Sequence, residues 1–297
     1  MLYILLPVHN RREITQRFLE CLKRQTLQDF QLVLIDDGST DDTDKMVVEL
    51  LPETKIIYGN GNLWWAGGLQ KGYELLSTMD LSPTDAVLLI NDDTEFENDF
   101  LQIAMNILGR KRNVALKAWS VDKYSGERGD GYIVANLGNY TFNSTDNEKL
   151  ANCTSTRGLF IGAKEFIDIG GFVPNKLPHY LSDYEFTIRA FNKGYKIYCD
   201  DRLGLISDSK ESGHHIIEYQ TFGEFMDKFF SIKCPANPKY LINFVRLTSS
   251  NIFTTAFNIV KIILKAVVKI LVAFIFSFGR KSVDVSRFSS NFTKGAN

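Results

Sequence analysis

The chain is short of several things. Its 297 residues hold four cysteines, seven prolines and four histidines, and its formal net charge is only -1. Cys21, Cys153, Cys199 and Cys234 are widely scattered with no C-x-x-C pair, which excludes a zinc ribbon or dithiol centre and reads as reduced structural thiols. Near-neutral charge gives no global pull toward nucleic acid. The start lacks a basic segment and a small-residue cleavage site, so residues 1–8 read as a first strand and the bulk as cytoplasmic. The N-x-S/T sequons at Asn139, Asn143, Asn152 and Asn291 then read as chance. No uncharged apolar run approaches the roughly 20 residues that a membrane-spanning helix needs.

What the chain has is an alternating apolar rhythm. Residues 2–6, 31–35, 55–58 and 85–90 read as buried strands. Residues 13–25, 41–51, 66–78 and 98–108 read as helices between and after them, the second with Thr40 or Asp41 as N-cap. Strand–helix alternation with short connections predicts an α/β fold with a doubly wound, mostly parallel sheet. Residues 124–152 are polar and Gly/Asn-rich, suiting hairpins or a loop. Strand and helix then return at 158–163 and 164–169. A helix over 183–193, closed by Gly194, and a strand at 195–199 follow.

Two strands end in acids. Residues 32–35 run into Asp36-Asp37-Gly38-Ser39, and residues 88–90 into Asn91-Asp92-Asp93-Thr94. In open α/β sheets the carboxyl edge is where ligands bind. Carboxylates there can hold a hard cation that bridges to phosphate oxygens. Pro7-Val8-His9-Asn10-Arg11 follows the first strand, where backbone N–H groups and Arg11 can meet a diphosphate; an ordinary strand-to-helix turn reads the same way. The Asp36–Asp41 run is equally an Asx turn plus an N-cap.

Taken in order, Pro-Val-x-Asn-Arg, Ile-Asp-Asp-Gly-Ser-Thr-Asp and Asn-Asp-Asp-Thr resemble glycosyltransferase family 2, the large group of A-type nucleotide-sugar transferases. Asn62-Leu-Trp-Trp-Ala-Gly-Gly, and Ser182-Asp183-Tyr184-Glu185 with Ile188-Arg189-Ala190, are similar to further segments of that family, so the match runs from about residue 1 to 202. The subgroup it most resembles builds bacterial surface polysaccharides, rhamnosyltransferase-like members included. The resemblance implies that Asp36 contacts the nucleobase and Asp37 the ribose. It makes Asp93 the ligand of Mg²⁺ or Mn²⁺ on the donor diphosphate, with Asp92 beside it, and Asp183 the general base on the acceptor hydroxyl. Pro7, Val8, Asn10, Arg11 and Gly38 fall on the donor side. Two positions depart from the pattern: Asn91 stands where the family has a first Asp, and Ser182 where it has Glu. Asp183 as a helix N-cap is the structural alternative.

Trp64 and Trp65 cannot share a face, so one is expected in the core and one against sugar or nucleotide, while Gly67 and Gly68 would allow close approach to the ligand. His214 is a metal or diphosphate candidate by resemblance, and His214-His215 as a surface pair is the alternative. Arg157 lies in the donor or acceptor cleft or forms a surface salt bridge. Residues 252–278 are strongly apolar, with Lys261, Lys265 and Lys269 every fourth residue on one helical stripe. That pattern predicts an interfacial helix over about 252–279, its lysines snorkelling to anionic headgroups, rather than a span. Packing on the core or on another subunit is the alternative.

These readings give a catalytic domain over 1–235 and a helical extension over 236–297. The expected activity is an inverting, metal-dependent transfer from a UDP- or dTDP-sugar to a lipid-linked glycan for capsule or O-antigen. It would run at the inner face of the cell membrane, without nucleic acid, in a chain able to form a homo-oligomer. A non-catalytic nucleotide-sugar-binding scaffold, or a sugar nucleotidyltransferase, is the competing expectation; the second class wants a Gly-rich loop that residues 7–11 lack.

Overall fold

The computed structural model describes residues 1–129, 131–208, 216–219, 221–275 and 281–284. Its first half alternates β1 (Leu2–Val8), α1 (Arg12–Lys23), β2 (Phe30–Asp36), α2 (Thr43–Leu50), β3 (Lys55–Tyr58), α3 (Trp64–Leu76), β4 (Ala86–Leu89), β5 (Thr94–Glu95) and α4 (Phe100–Leu108). The rest adds β6 (Val114–Asp122), β7 (Arg128–Gly129), the hairpin β8 (Tyr132–Asn136) and β9 (Thr141–Thr145), β10 (Leu159–Gly162), α5 (Ala163–Ile169), α6 (Ser182–Asn192) and β11 (Lys196–Ser207). β12 (Ile216–Tyr219), α7 (Phe222–Phe229), α8 (Pro238–Thr248), α9 (Ile252–Ile275) and β13 (Lys281–Asp284) complete it.

The main sheet runs β3-β2-β1-β4-β10-β6-β11-β5, with β7 on the side of β6. It is parallel through β3-β2-β1-β4, while β10 is antiparallel to both β4 and β6. This is the expected mixed α/β, A-type glycosyltransferase-like layout. β1 shows how sequence builds it: Leu2, Ile4, Leu6 and Val8 face one core with α1, α2 and α4, and Tyr3 and Leu5 face the other with α3, α5 and α6. A period of two on a central strand serves both layers. β1 continues through Pro7 to Val8, beyond the break expected at Pro7. The ring there fills the space left by Gly68 of α3, where a Cβ would come within 2.8 Å of Pro7.

The chain moves outward from β1 to β2 and β3, then returns to β4 on the other side of β1. That makes a topological switch point between β1 and β4, where open sheets leave a ligand crevice at their carboxyl ends.

A second core joins the β8–β9 hairpin, α6, α7, α8 and α9, with Phe142, Tyr184, Phe225, Phe229 and Phe244 packed together. Residues on both sides of position 235 share this core. α9 buries only Asn258, Ile262, Ala266 and Ala273. Phe253, Phe257, Leu264, Val268 and Ile275 stand exposed on its other side. The lysines fall on the flank between these faces: Lys261 donates to the Asn139 carbonyl at 3.0 Å, and burial together with Lys261 lowers the Lys265 pKa. Among the described residues, no helix is long and apolar enough to cross a membrane.

Candidate active site

The loops leaving β1 and β2 are lashed together. The Asn10 N–H donates to Ser39 Oγ at 2.9 Å, and its side-chain oxygen accepts from the Thr40 N–H at 2.7 Å. A His9 ring nitrogen meets the Asp37 carbonyl at 2.7 Å. Asp41 accepts from Arg12 N–H with one oxygen and from Thr43 with the other, so it serves the starts of both α1 and α2. The expected N-cap of α2 is therefore displaced: the cap position belongs to Asp42, at φ 60°, and Asp41 acts from one residue earlier.

Asp36 and Asp37 are both buried, with different duties. Asp36 accepts the Ser39 N–H at 2.8 Å, an Asx-type closure of the turn made possible by Gly38 at φ 74°. Both Asp37 oxygens are taken by backbone: Gly61 N–H at 2.8 Å on one, Leu63 and Trp64 N–H at 2.8 and 3.1 Å on the other. Asp37 thus shapes the 59–64 loop, a role hidden in the sequence because its partners lie more than twenty residues away.

At the end of β4, Asp92 accepts from Thr15 Oγ1 at 2.9 Å and faces Arg11 Nε at 3.2 Å. Burial pushes its carboxyl up to about 6, against the pull of Arg11. Arg11 also reaches Asp93 at 3.7 Å. The other Asp93 oxygen, Oδ1, is buried and lacks a hydrogen-bond partner among the described residues. Such an atom suits a hard cation, which needs only one or two carboxylates when phosphates and waters complete its shell. The donor set therefore fits Mg²⁺ or Mn²⁺ held by Asp93. Among the described residues no cluster of three His, Cys, Asp or Glu could hold an ion from protein groups alone. Asp208 comes beside this edge through the end of β11, its N–H donating to the Asp93 carbonyl at 3.3 Å. It sits in a polar stretch that carries no pattern of its own. His214 lies outside the described residues.

α3 carries the site toward the acceptor side. Trp65 Nε1 donates to Thr156 Oγ1 at 3.1 Å, and Ala66 N–H to the Pro178 carbonyl at 3.0 Å. The Trp64 ring lies 5.8 Å from the His179 ring. A Cβ on Gly67 would meet Leu63 at 3.2 Å, one on Gly68 would meet Pro7 at 2.8 Å, and one on Gly72 would meet Leu5 at 2.7 Å. Gly68 and Gly72 let α3 lie close on β1. Arg157 is partly buried, and its carbonyl accepts from the ammonium of the fully buried Lys117.

Asp183 occupies the second position of α6, whose N-cap is Leu181 in left-handed conformation with no side-chain cap bond. The capping alternative for Asp183 is thus not what the helix uses. Its Oδ1 accepts the N–H of Tyr184 at 2.9 Å. Arg189 is structural. It pairs with buried Glu185 at 2.8 Å and donates to the carbonyls of Ile169, Gly170 and Gly171.

Paired acids and an arginine thus stand at the β1–β4 switch point of an α/β sheet with the A-type transferase layout. The chain belongs to glycosyl transferase family 2, whose model matches residues 3–165. No protein of curated description matches its sequence. Among solved structures it is similar to TarS of S. aureus (17% identity, TM-score 0.53), covering 70% of this chain and 36% of that one. GalNAc-T7 with UDP, GalNAc and Mn²⁺ is 12% identical with TM-score 0.57, over 70% of this chain and 43% of that one. The mannosyltransferase PcManGT from Pyrobaculum calidifontis, in complex with GDP-Man and Mn²⁺, is 14% identical with TM-score 0.53, over 90% and 75%. The chain therefore spans less than half the length of the first two; at these identities the likeness concerns the fold.

Proposed function

We propose that the protein transfers a sugar from a UDP- or dTDP-sugar to a hydroxyl of a lipid-linked glycan, with inversion, in the assembly of a bacterial capsule or O-antigen. The observation that carries this reading is the edge where Asp93 presents a buried, unpartnered oxygen beside Arg11 at the switch point. Two of the similar structures hold Mn²⁺ with UDP or GDP-Man, which supports a nucleotide-sugar donor and a divalent ion.

The residues divide the work. Asp36 and the Gly38–Thr40 turn receive the nucleoside, and Asp37 keeps the 59–64 loop in shape beneath it. Asp93 would hold the Mg²⁺ or Mn²⁺, which when bound offsets charge on the diphosphate leaving group. Arg11, whose guanidinium faces Asp92 and Asp93 here, turns from the acids to phosphate oxygens. Asp183 accepts the proton of the attacking hydroxyl. One acid for the ion and a separate one for the acceptor imply a single displacement, hence inversion.

The exposed face of α9 fits an interfacial helix. Its 24 residues make a rod roughly 36 Å long. Bulky apolar side chains point away from the body and lysines run along one flank, which suits a leaflet with anionic headgroups. This supports a reading in which the site works at the inner face of the membrane, where a lipid-linked acceptor is presented. A screen of nucleotide sugars for binding and hydrolysis, with and without Mn²⁺, tests the reading. Metal-enhanced binding of one donor is expected, and no binding of any donor would refute it.

A further inference from the structure

Trp64 is the first residue of α3, and its φ is +57°. A bulky residue in the left-handed region is strained by roughly 1–3 kcal/mol, and such strain persists only where surrounding structure holds it. The holding group is visible: the Trp64 N–H is bound by Asp37. The consequence is equally specific. The indole leaves the donor loop and packs on His179, which sits just before α6 and the Asp183 carboxylate.

Two more features converge here. His179 Nδ1 is closed off from solvent and has no hydrogen-bond partner among the described residues, and burial beside Lys233 lowers the imidazole pKa to about 4. The ring is therefore neutral at pH 7. Lys233, from the turn joining α7 to α8, places its ammonium 6.0 Å from the Trp64 ring centre. That lysine is exposed and makes no ion pair among the described residues. The cluster is an aromatic wall, a neutral polar ring and one positive charge without an ion-pair partner among the described residues, and His179 stands four residues before the proposed base in the chain. An aromatic ring packs against the apolar side of a pyranose, and the ammonium over that ring selects an anionic substituent.

We propose that Trp64, His179 and Lys233 form the acceptor subsite, and that it takes a sugar carrying a negative charge. This rests on the transferase reading above. It moves Trp64 from the donor to the acceptor and leaves Trp65, tied to Thr156, as a packing residue.

The test uses the full chain labelled with 5-fluorotryptophan, whose three tryptophans give ¹⁹F signals assignable by Trp→Phe variants. Glucose 1-phosphate, glucuronate and methyl glucoside are titrated in turn, and UDP with Mn²⁺ is measured separately by calorimetry. The Trp64 signal should respond to a charged sugar at concentrations about tenfold below methyl glucoside. Lys233→Met should abolish that difference while leaving the UDP–Mn²⁺ isotherm unchanged. Which charged sugar acts first tells whether phosphate or carboxylate supplies the charge. Equal response to charged and neutral sugars, no response to any sugar, or a Trp64 signal moved only by UDP–Mn²⁺ would overturn the proposal. Absence of UDP binding by calorimetry, with the charged-sugar response intact, would sink the donor reading and not this one.

Discussion

The Asp37 carboxylate holds Trp64 in left-handed conformation: Oδ2 accepts the Trp64 N–H at 3.1 Å while Oδ1 accepts that of Gly61 at 2.8 Å. One buried acid at the end of β2 thereby fixes where an aromatic wall of the crevice stands. Asp37→Ala would leave three loop N–H groups without this partner, at about 1–3 kcal/mol each if they stay buried. A melting temperature lowered by several degrees, with weakened nucleotide binding by calorimetry, is the expected result. Trp64→Gly relieves the strained φ and should keep stability within about 1 kcal/mol of the parent, yet lose acceptor-dependent turnover.

Acid stability should show two opposed terms. Asp92 has a native pKa of about 6, above its ordinary value of 3.8, because it is buried. An acid raised in this way binds more protons when folded, so its contribution is fullest below about pH 4 and declines by about 3 kcal/mol as pH rises through 6. His179 is the reverse, with a native pKa of about 4 against 6.5. Its stability is present above 6.5 and lost as pH falls toward 4. In metal-free protein the two offset each other across pH 4–6. Urea midpoints should fall more steeply toward acid in Asp92→Asn, and rise toward acid in His179→Phe.

Asp93 should carry the response to metal. In the presence of UDP, Mn²⁺ at about one hundred times its dissociation constant stabilises the fold by about 2.7 kcal/mol. Asp93→Asn should erase that shift in thermal unfolding and leave the metal-free melting temperature within a degree or two.

Asp183→Asn should lower transfer by about 10²–10⁴-fold, the range for loss of a general base. Nucleotide binding should stay intact, because Asp183 lies on α6, away from the β2 and β4 edges that form the proposed donor site. Arg189→Met is the contrasting case: losing its bonds to Glu185 and three carbonyls should cost about 2–4 kcal/mol, read as a lower urea midpoint.

Membrane contact is checked by sedimentation with vesicles containing anionic lipid. Leu264→Glu with Val268→Glu places two charges on the exposed face of α9 and should leave the protein in the supernatant with its UDP binding unchanged. Pelleting that persists would remove the interfacial role, and a dimer broken by the same pair would assign the face to a second copy.

Much of the fold was legible because its signals are local. The apolar runs at β1, β2 and β4 and their terminal acids lie within a few residues of each other, and strand periodicity needs no distant partner. The role of Asp37 was not legible, since an acid before Gly-Ser reads the same whether it meets a ribose or three backbone N–H groups from residues 61–64. The glycines of α3 are ambiguous for the same reason: lacking a side chain, they suit a ligand or a neighbouring strand equally, and only the fold shows Gly68 and Gly72 against Pro7 and Leu5 of β1. Arg189, part of a segment similar to the family, braces a turn eighteen residues upstream, which no local pattern shows.

The sequence by itself determined the strand–helix alternation, the two acid-tipped strands, the family resemblance and the amphipathic end of the chain. Those follow from short-range order in residue type, which backbone geometry converts directly into faces and edges. Only the tertiary structure decided which acid is unpartnered and which is occupied, where the two tryptophans part company, and that the lysines of α9 flank the body. Such assignments depend on which groups, far apart in sequence, are brought within hydrogen-bonding distance. Packing of the sheet and helices makes that choice.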